Sequence, residues 1–515
     1  MTPLLADRRG RTDHDPGVPM DALRLTRQDG LRLVPDPSRV ITKPFVPSDE
    51  LDQDGSSRLG RMLARIAALP DDEVASALDD VRASFGHRHR DLDAVLARHH
   101  ALVADRPSAR TALAGPSSAE RRLLVGAYCT HEYSIEAAAL GNPSIVAAPD
   151  QSGVAQGSLR VVLSLRAIGE GHLSSIELRT GVVDADGRLD LDPVGPYAET
   201  GVRAPHAYDK AFFTTKLGEV GMLNEVEERV LAGLGDRFTT DDLEASIRAL
   251  HDEGVERTIS GETTRFLHLL AASNYRVSFP PSRPLSERVL FPSGPTESRG
   301  MEDARFTRFV DDDGSARYLA TYTAFDGHQI LPQLIETLDF TDFRIATMTG
   351  AAARNKGIAV FPRRVDGRFV ALGRQDGVSS TLMRSDDLRT WREATTIQEP
   401  ARPWELVQLG NGGSPIETEA GWLVVTHGVG PMRRYTLGAI LLDLDDPGRV
   451  IGHLREPMLA PDADEREGYV PNVVYTCGCL LHGEHLIVPY GFADVGAAVA
   501  TVPIADLLDR LTDGR

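Results

Sequence analysis

Cysteine is scarce in this sequence: Cys129, Cys477 and Cys479 are the three among 515 residues. An odd, sparse set excludes a disulfide framework. Cys477-Gly478-Cys479 has no second Cys/His pair at zinc spacing, so it reads as small buried residues on a strand. Positive charge is also short, with 56 Lys plus Arg against 75 Asp plus Glu and a formal net charge of −19. Nucleic-acid binders neutralise phosphates with Lys and Arg, so this balance argues against a nucleic-acid partner. No apolar run approaches the roughly 20 residues that cross a bilayer. Met1 to Pro16 are polar and mixed in charge, with no apolar core of a leader. The expectation is a soluble cytoplasmic protein with no membrane partner. The 41% hydrophobic fraction is enough for a sizeable core. The length exceeds one ordinary domain but fits one large β domain with appendages.

The chain changes character several times. Residues 1–20 read as disordered. Between Asp21 and Pro47, short apolar runs alternate with Asp-Gly and Pro, which predicts a small strand pair. From Arg58 to about Leu140 apolar residues recur at helical spacing (Leu59, Met62, Leu63, Ile66; Val74, Leu78, Val81; Leu92, Val95, Leu96, Leu102), predicting three or four helices. Ser117-Ser118-Ala119-Glu120 can cap one of them. His87, His89, His99 and His100 fall in this section without the carboxylate or Cys spacing of a metal site. Residues 1–140 are therefore an extension and 141–515 the main β domain, interrupted by a helical insertion near 217–270.

Within 141–515 a unit repeats: a Gly/Asn/Pro loop feeds a short apolar strand, then a turn and a second strand. The units start at Asn142, Asp303, Lys356, Gly413 and Asn472, with the last three steps 53, 57 and 59 residues. The first step, 161 residues, holds the insertion. A period of about 50 residues and four strands is a propeller signature. Five starts predict a five-bladed β-propeller, mainly β, with the starting residues facing one central funnel. One start carries an acidic pair, Glu302-Asp303, between the Gly/Pro/Ser-rich run Phe291–Gly300 and a strand-like segment. Loop-to-strand junctions are where a rigid scaffold presents chemistry.

Residues from Asn142 to about Leu507 resemble glycoside hydrolase family 130, the β-mannoside phosphorylases and β-mannosidases. The matching segments are Glu302-Asp303-Ala304-Arg305, Lys356 to Pro362, Ser414 to Trp422, His427-Gly428-Val429, Tyr435 to Ala439 with Leu442 to Pro447, Val470 to Val474, and Asp494. The resemblance implies a five-bladed propeller and inverting attack on a β-mannosidic bond. It makes Asp303 the proton donor, acting through the sugar 3-hydroxyl, with Glu302 in support and with Glu302 and Arg305 among the substrate-binding residues. It places Lys356, Arg374, His427 and Tyr435 around inorganic phosphate, the co-substrate, with no metal or organic cofactor. Asn142, Ser144 and Asp494 match sugar-binding positions. Trp404, in a Pro-rich loop, could stack on a sugar, whereas Trp391 and Trp422 read as blade core.

One position departs from the family. Glu417 stands where many phosphorylases have a phosphate-binding lysine in Pro-Ile-x-Thr. A carboxylate there would repel phosphate, or could activate water as a general base. Two readings therefore stand beside each other: phosphorolysis of a β-mannoside oligosaccharide, or hydrolysis with Glu417 as a catalytic residue. A carbohydrate-binding propeller without turnover is a third, since fold alone does not fix function. The added helices could bury apolar faces against a second copy, giving a homo-oligomer.

Overall fold

The computed structural model describes residues 23–53, 55–115, 117–205, 207–219, 225–252 and 257–512. The disorder expected for residues 1–20 lies outside them. The chain is mainly β, and most of its strands fall into five successive antiparallel units, the second of which is extended past its fourth strand by Tyr275–Ser278 and Val202–Pro205. The first unit is Ala139–Ala147, Leu159–Ile168, Ser174–Val183 and Leu189–Leu191. The second is Gly300–Val310, Ala316–Phe325, Ile330–Thr337 and Asp342–Thr347. A single parallel pair, Gly300 with Ser174, joins these two units. The third is Ala359–Val360, Phe369–Gly373, Ser380–Ser385 and Ala394–Gln398.

In the fourth unit the first strand is split into Gln408–Asn411 and Ile416–Thr418. Both parts pair with Gly421–Val429, followed by Tyr435–Leu442 and Val450–His453. The fifth begins likewise with Val474–Tyr475 and Leu480–His482, then His485–Phe492 and Gly496–Pro503. Its fourth strand comes from the other end of the chain: Thr26–Leu33 pairs with Gly496–Pro503.

Both faces of these strands are apolar, so each unit is covered on two sides. Val162 and Leu178 of the first pack with Phe306 and Ile335 of the second. Phe309 and Leu334 of the second meet Phe369 and Met383 of the third. Val370 and Leu382 of the third meet Trp422 and Ile440 of the fourth. Leu423 and Leu437 of the fourth meet Leu486 and Val502 of the fifth. Ile487 and Val499 of the fifth return to Ile145 and Leu163 of the first. Each such buried aliphatic or aromatic side chain is worth about 1.5–3 kcal/mol. Trp391 and Trp422 are fully buried, the core role expected of them. Cys477 and Cys479 are unpaired, and burial pushes both thiols up to about 12.

The strand pair predicted between Asp21 and Pro47 does not form: the run Leu23–Leu25 is no strand, Leu31–Leu33 ends the strand Thr26–Leu33, and the two strands that do fall there pair elsewhere. Thr26–Leu33 covers the edge of the fifth unit, and Val40–Pro44 pairs with Thr130–Ser134. An exposed strand edge takes whichever partner completes its ladder, and both found longer-range ones. Five short helices lie between them: Arg58–Ala67, Asp71–Phe85, Leu92–Ala104, Pro107–Ala112 and Ala119–Tyr128. Ser118 caps the last, accepting from the Arg121 N–H at 3.1 Å. His99 bonds Thr130 and His89 bonds Glu132, at 2.7 and 2.8 Å, as parts of this packing.

The insertion contains Lys210–Glu219, Glu225–Ala232, Thr240–Asp252 and Arg257–Ala272, around Phe213, Val230, Phe238, Leu243 and Leu267. It begins seven residues earlier than expected. Its residues 220–224 and 253–256 lie outside the described ones. No helix among the described residues is long and apolar enough to cross a membrane.

Candidate active site

The entry of each unit has one backbone feature in common. Asn142, Asp303, Asn355, Gly413 and Asn472 all have positive φ, at 48, 58, 61, 141 and 62°. Asn, Asp and Gly tolerate that region best, which is why these residue types recur at the starts of the repeat. In the third unit the left-handed residue is Asn355, one before the expected Lys356. The ladders shift register at Gly141/Ser144 and Glu302/Arg305. Such bulges re-aim side chains, and here they turn Asn142 and Asp303 towards each other.

Asn142 Nδ2 donates to Asp303 Oδ1 at 2.6 Å. Arg166, from the second strand of the first unit, donates to Glu302 Oε1 at 2.8 Å and reaches Asp303 Oδ1 at 3.4 Å. Its Nε donates to Ser174 Oγ at 2.9 Å. Lys356 Nζ holds the other oxygen of Glu302 at 2.5 Å. Arg305 lies beneath, fully buried, donating to the Asp303 carbonyl at 2.9 Å and to Tyr475 Oη at 2.7 Å.

Asp303 is 8% exposed. Burial alone would raise its carboxyl. Arg166, Arg305, the Asn142 amide and Lys356 together overcome that and hold it below the usual carboxylate range. Asp494, half-buried with φ 49°, moves the other way. Its burial, with Asp303 and Glu302 nearby, raises it against the pull of Arg166 and Arg433.

A second group adjoins the first through Arg305 and Tyr475. Arg374 Nη1 lies 3.2 Å from His427 Nε2. His427 packs on Tyr435 with ring planes 12° apart and on Tyr475 at 4.9 Å. Burial first, then Arg374 and Arg305, hold His427 well below the usual imidazole range, so it is neutral at pH 7. Arg374 faces no carboxylate among the described residues, and its buried Nε has no hydrogen-bond partner. Arg305 Nε and Ser414 Oγ are buried and unpartnered as well. A cation left without a counter-charge is costly; an anion between these groups would satisfy it.

Asn142, Glu302, Asp303, Arg305 and Lys356 come together, with Asp494 beside them, and Arg374, His427 and Tyr435 form the adjoining group. Three predicted site residues do not join. Glu417 is exposed, and Arg363 holds its carboxylate through two bonds of 2.8 and 2.6 Å. The structure thus places it on the short strand opposite Trp422, paired with a cation rather than grouped with Lys356 and Arg374 as expected. Ser144 is fully buried, and its Oγ accepts from the Phe306 N–H at 3.1 Å, so it ties units together rather than meeting a sugar.

Trp404 packs its ring on the backbones of Gly428 and Gly438 and donates to the Arg455 carbonyl at 3.2 Å. Gly428 and Gly438 share one face of the fourth unit. His427 and Tyr435 project from the other face, because side chains alternate along a strand. Trp404 therefore stands on the opposite face of the fourth unit from His427 and Tyr435.

Arg166 and Tyr475 are the residues the sequence reading missed. Arg166 had a signal, as the one charge in the strand-like run Leu163-Ser164-Leu165-Arg166-Ala167-Ile168. Tyr475 had none beyond its place after Asn472. A surface cavity of about 330 Å³ opens on the third unit beside Arg368, Arg384 and Arg392, and shares no residue with this site.

The sequence profile of glycoside hydrolase family 130, described as beta-1,4-mannooligosaccharide phosphorylase, matches residues 282–513. A 1,2-beta-oligomannan phosphorylase of Thermoanaerobacter sp. (strain X514) is 35% identical over 218 residues, covering 41% of this chain and 71% of that protein. A beta-1,2-mannobiose phosphorylase of Listeria innocua is 32% identical over 230 residues, 43% of this chain and 63% of that protein. Among solved structures, the Listeria innocua beta-1,2-mannobiose phosphorylase in complex with beta-1,2-mannobiose aligns at a TM-score of 0.43. It has 22% identity and covers 74% of this chain and 93% of that one.

Proposed function

Because the chain belongs to glycoside hydrolase family 130, we propose that it cleaves β-mannosides with inorganic phosphate, inverting the anomeric carbon and releasing mannose 1-phosphate. The substrates of its relatives suggest β-1,2- or β-1,4-linked manno-oligosaccharides. We take its five units as the blades of a five-bladed propeller. Support comes from their packing in sequence, with the fifth returning to the first, and from the left-handed residue at each entry.

The observation that carries the reading is Arg374, a half-buried cation with no carboxylate partner among the described residues, set against a neutral histidine. A guanidinium matches phosphate in charge and shape. Lys356, Arg374, His427 and Tyr435 would hold the phosphate. One of its oxygens attacks C1 of the mannosyl unit from the face opposite the leaving oxygen. The C1–O bond breaks as the new one forms. The leaving oxygen takes a proton that originates on Asp303 and passes through the sugar 3-hydroxyl. Asn142 and Asp494 would bind sugar hydroxyls, while Glu302 and Arg305 orient the acid. No metal is asked for.

With its carboxyl held low, Asp303 is ionised at neutral pH. An acid must carry its proton, so the bound state has to load it. Phosphate brings negative charge and draws Lys356 towards itself. Both changes favour the protonated carboxyl. Hydrolysis by inversion would instead need a second carboxylate poised to activate water. Glu417, the residue expected to do this, is occupied by Arg363.

The test is to incubate the protein with β-1,2-mannobiose and β-1,4-mannobiose, with and without phosphate. Mannose 1-phosphate formed only with phosphate is the expected result. Free mannose without phosphate would make the protein a hydrolase, and no product across a broad mannoside panel would remove the enzyme reading. Asp303→Asn should keep the fold and lose roughly 10²–10⁴-fold in kcat.

A further inference from the structure

The helical insertion reaches the anion side of the site. Helix Lys210–Glu219 ends against the segment that leads to Lys356. Glu219 Oε1 accepts from the Gly350 N–H, and Glu219 Oε2 lies 3.3 Å from Lys216 Nζ. Lys216 Nζ in turn donates to the Met348 carbonyl at 3.4 Å. Phe212 of the same helix lies under the Arg389 guanidinium at 4.5 Å. The Arg389 carbonyl accepts from the Thr349 N–H at 2.7 Å, beside the bridge between Thr349 and Thr390. One helix thus grips both sides of that bridge.

Gly350 is the point from which the loop departs. Its φ is 101°, and a Cβ there would stand 1.8 Å from the Trp391 carbonyl oxygen. The Ala352 N–H donates to that same oxygen at 3.0 Å, and the Ala353 N–H to the Gly350 carbonyl at 2.9 Å. The Ala352 carbonyl accepts from Gln375 Nε2 at 2.8 Å, and the Gln375 carbonyl accepts from Asn355 Nδ2 at 2.7 Å. Gln375 is the neighbour of Arg374, and Asn355 the neighbour of Lys356. The path from Gly350 therefore sets where both phosphate-binding cations stand.

We infer that Glu219 is a positioning residue for the anion pocket, holding Gly350 so that Lys356 and Arg374 converge on one phosphate. Its carboxylate makes a charge-assisted bond to a backbone N–H that has no other partner among the described residues. It does not touch the anion. Small displacements of a prearranged pocket cost binding because the cations must reach the same oxygens. The inference rests on the phosphorolytic reading for the identity of the anion.

Calorimetric titration of the full chain with inorganic phosphate alone separates the two. For Glu219→Ala we expect the phosphate Kd to rise about tenfold, the scale of one such bond lost. The KM for mannobiose should change less than twofold and thermal unfolding should keep one transition. Glu219→Gln keeps an acceptor for the Gly350 N–H and should recover most of the affinity. Equal phosphate Kd in wild type and Glu219→Ala overturns the inference, as does a parallel loss of phosphate and mannobiose binding, or a wild type that binds no phosphate. A wild type that binds phosphate yet releases free mannose refutes phosphorolysis while the comparison of Kd values still decides the role of Glu219.

Discussion

Replacing Arg166 by methionine removes the cation shared by the acidic pair. Arg166 stands 2.8 Å from Glu302 and 3.4 Å from Asp303, with Asp494 in its field. Methionine keeps much of the apolar stem but no charge. Glu302 retains Lys356 at 2.5 Å, and Asp303 retains Asn142 at 2.6 Å. At an effective dielectric near 20, each lost contact is a Coulomb interaction of about 5–6 kcal/mol before desolvation is counted. The net loss on breaking a buried pair is about 3–5 kcal/mol.

The pH dependence separates this charge effect from lost packing. In the wild type, Asp303 is held below its unfolded value, so its stabilisation is full above that value and lost as pH falls through the folded one. Without Arg166, burial counts for more and the carboxyl moves upwards. The variant then gains less stability from ionised Asp303 than the wild type does as pH rises. Urea unfolding at about pH 4.5 and pH 8 should show a deficit that is larger at pH 8. A deficit equal at both pH values would refute the electrostatic account and leave only packing.

Three further outcomes are expected. Glu417→Ala should leave phosphate dependence and kcat/KM unchanged and cost about 0–1 kcal/mol, because its pair with Arg363 is exposed; a change in the phosphate KM would restore Glu417 to the site. Arg39→Met should destabilise by about 3–5 kcal/mol in urea, because Arg39 holds Glu136 and Glu177 at 2.8 Å each, all buried. Burial and Glu177 push Glu136 up, to about 7, against Arg179 and Arg39; a raised carboxyl costs stability as pH rises, so the Arg39→Met deficit should be smaller at pH 5 than at pH 8. Arg374→Met should raise the phosphate KM tenfold or more in phosphorolysis assays and leave mannobiose binding nearly unchanged.

The sequence carried the β units because strand and turn signals are local. Their starts were legible because a left-handed backbone selects Asn, Asp or Gly, and four of the five starting residues coincide with those positions. The acidic pair was legible for the same reason. Three expected site residues stand elsewhere for local reasons the sequence did not show. Glu417 and Ser144 sit in strands of the right composition, where the face a side chain takes depends on where each strand starts and bulges, while Trp404 lies in a turn and is placed by the Gly428 and Gly438 backbones it packs on. The run at Leu31 read as strand, but that Thr26–Leu33 would pair with Gly496–Pro503 at the far end of the chain was not legible.

By itself, then, the sequence determined where each strand enters and which residue could stand in a left-handed entry, because those preferences act within a few residues. The tertiary structure alone decided which charges meet. Arg166 reaches Asp303 across 137 positions of chain and Asn142 across 161. Glu417 is removed from the site by Arg363, 54 positions away. Charge compensation is a property of distance in space, and only the packing of five units in turn sets that distance.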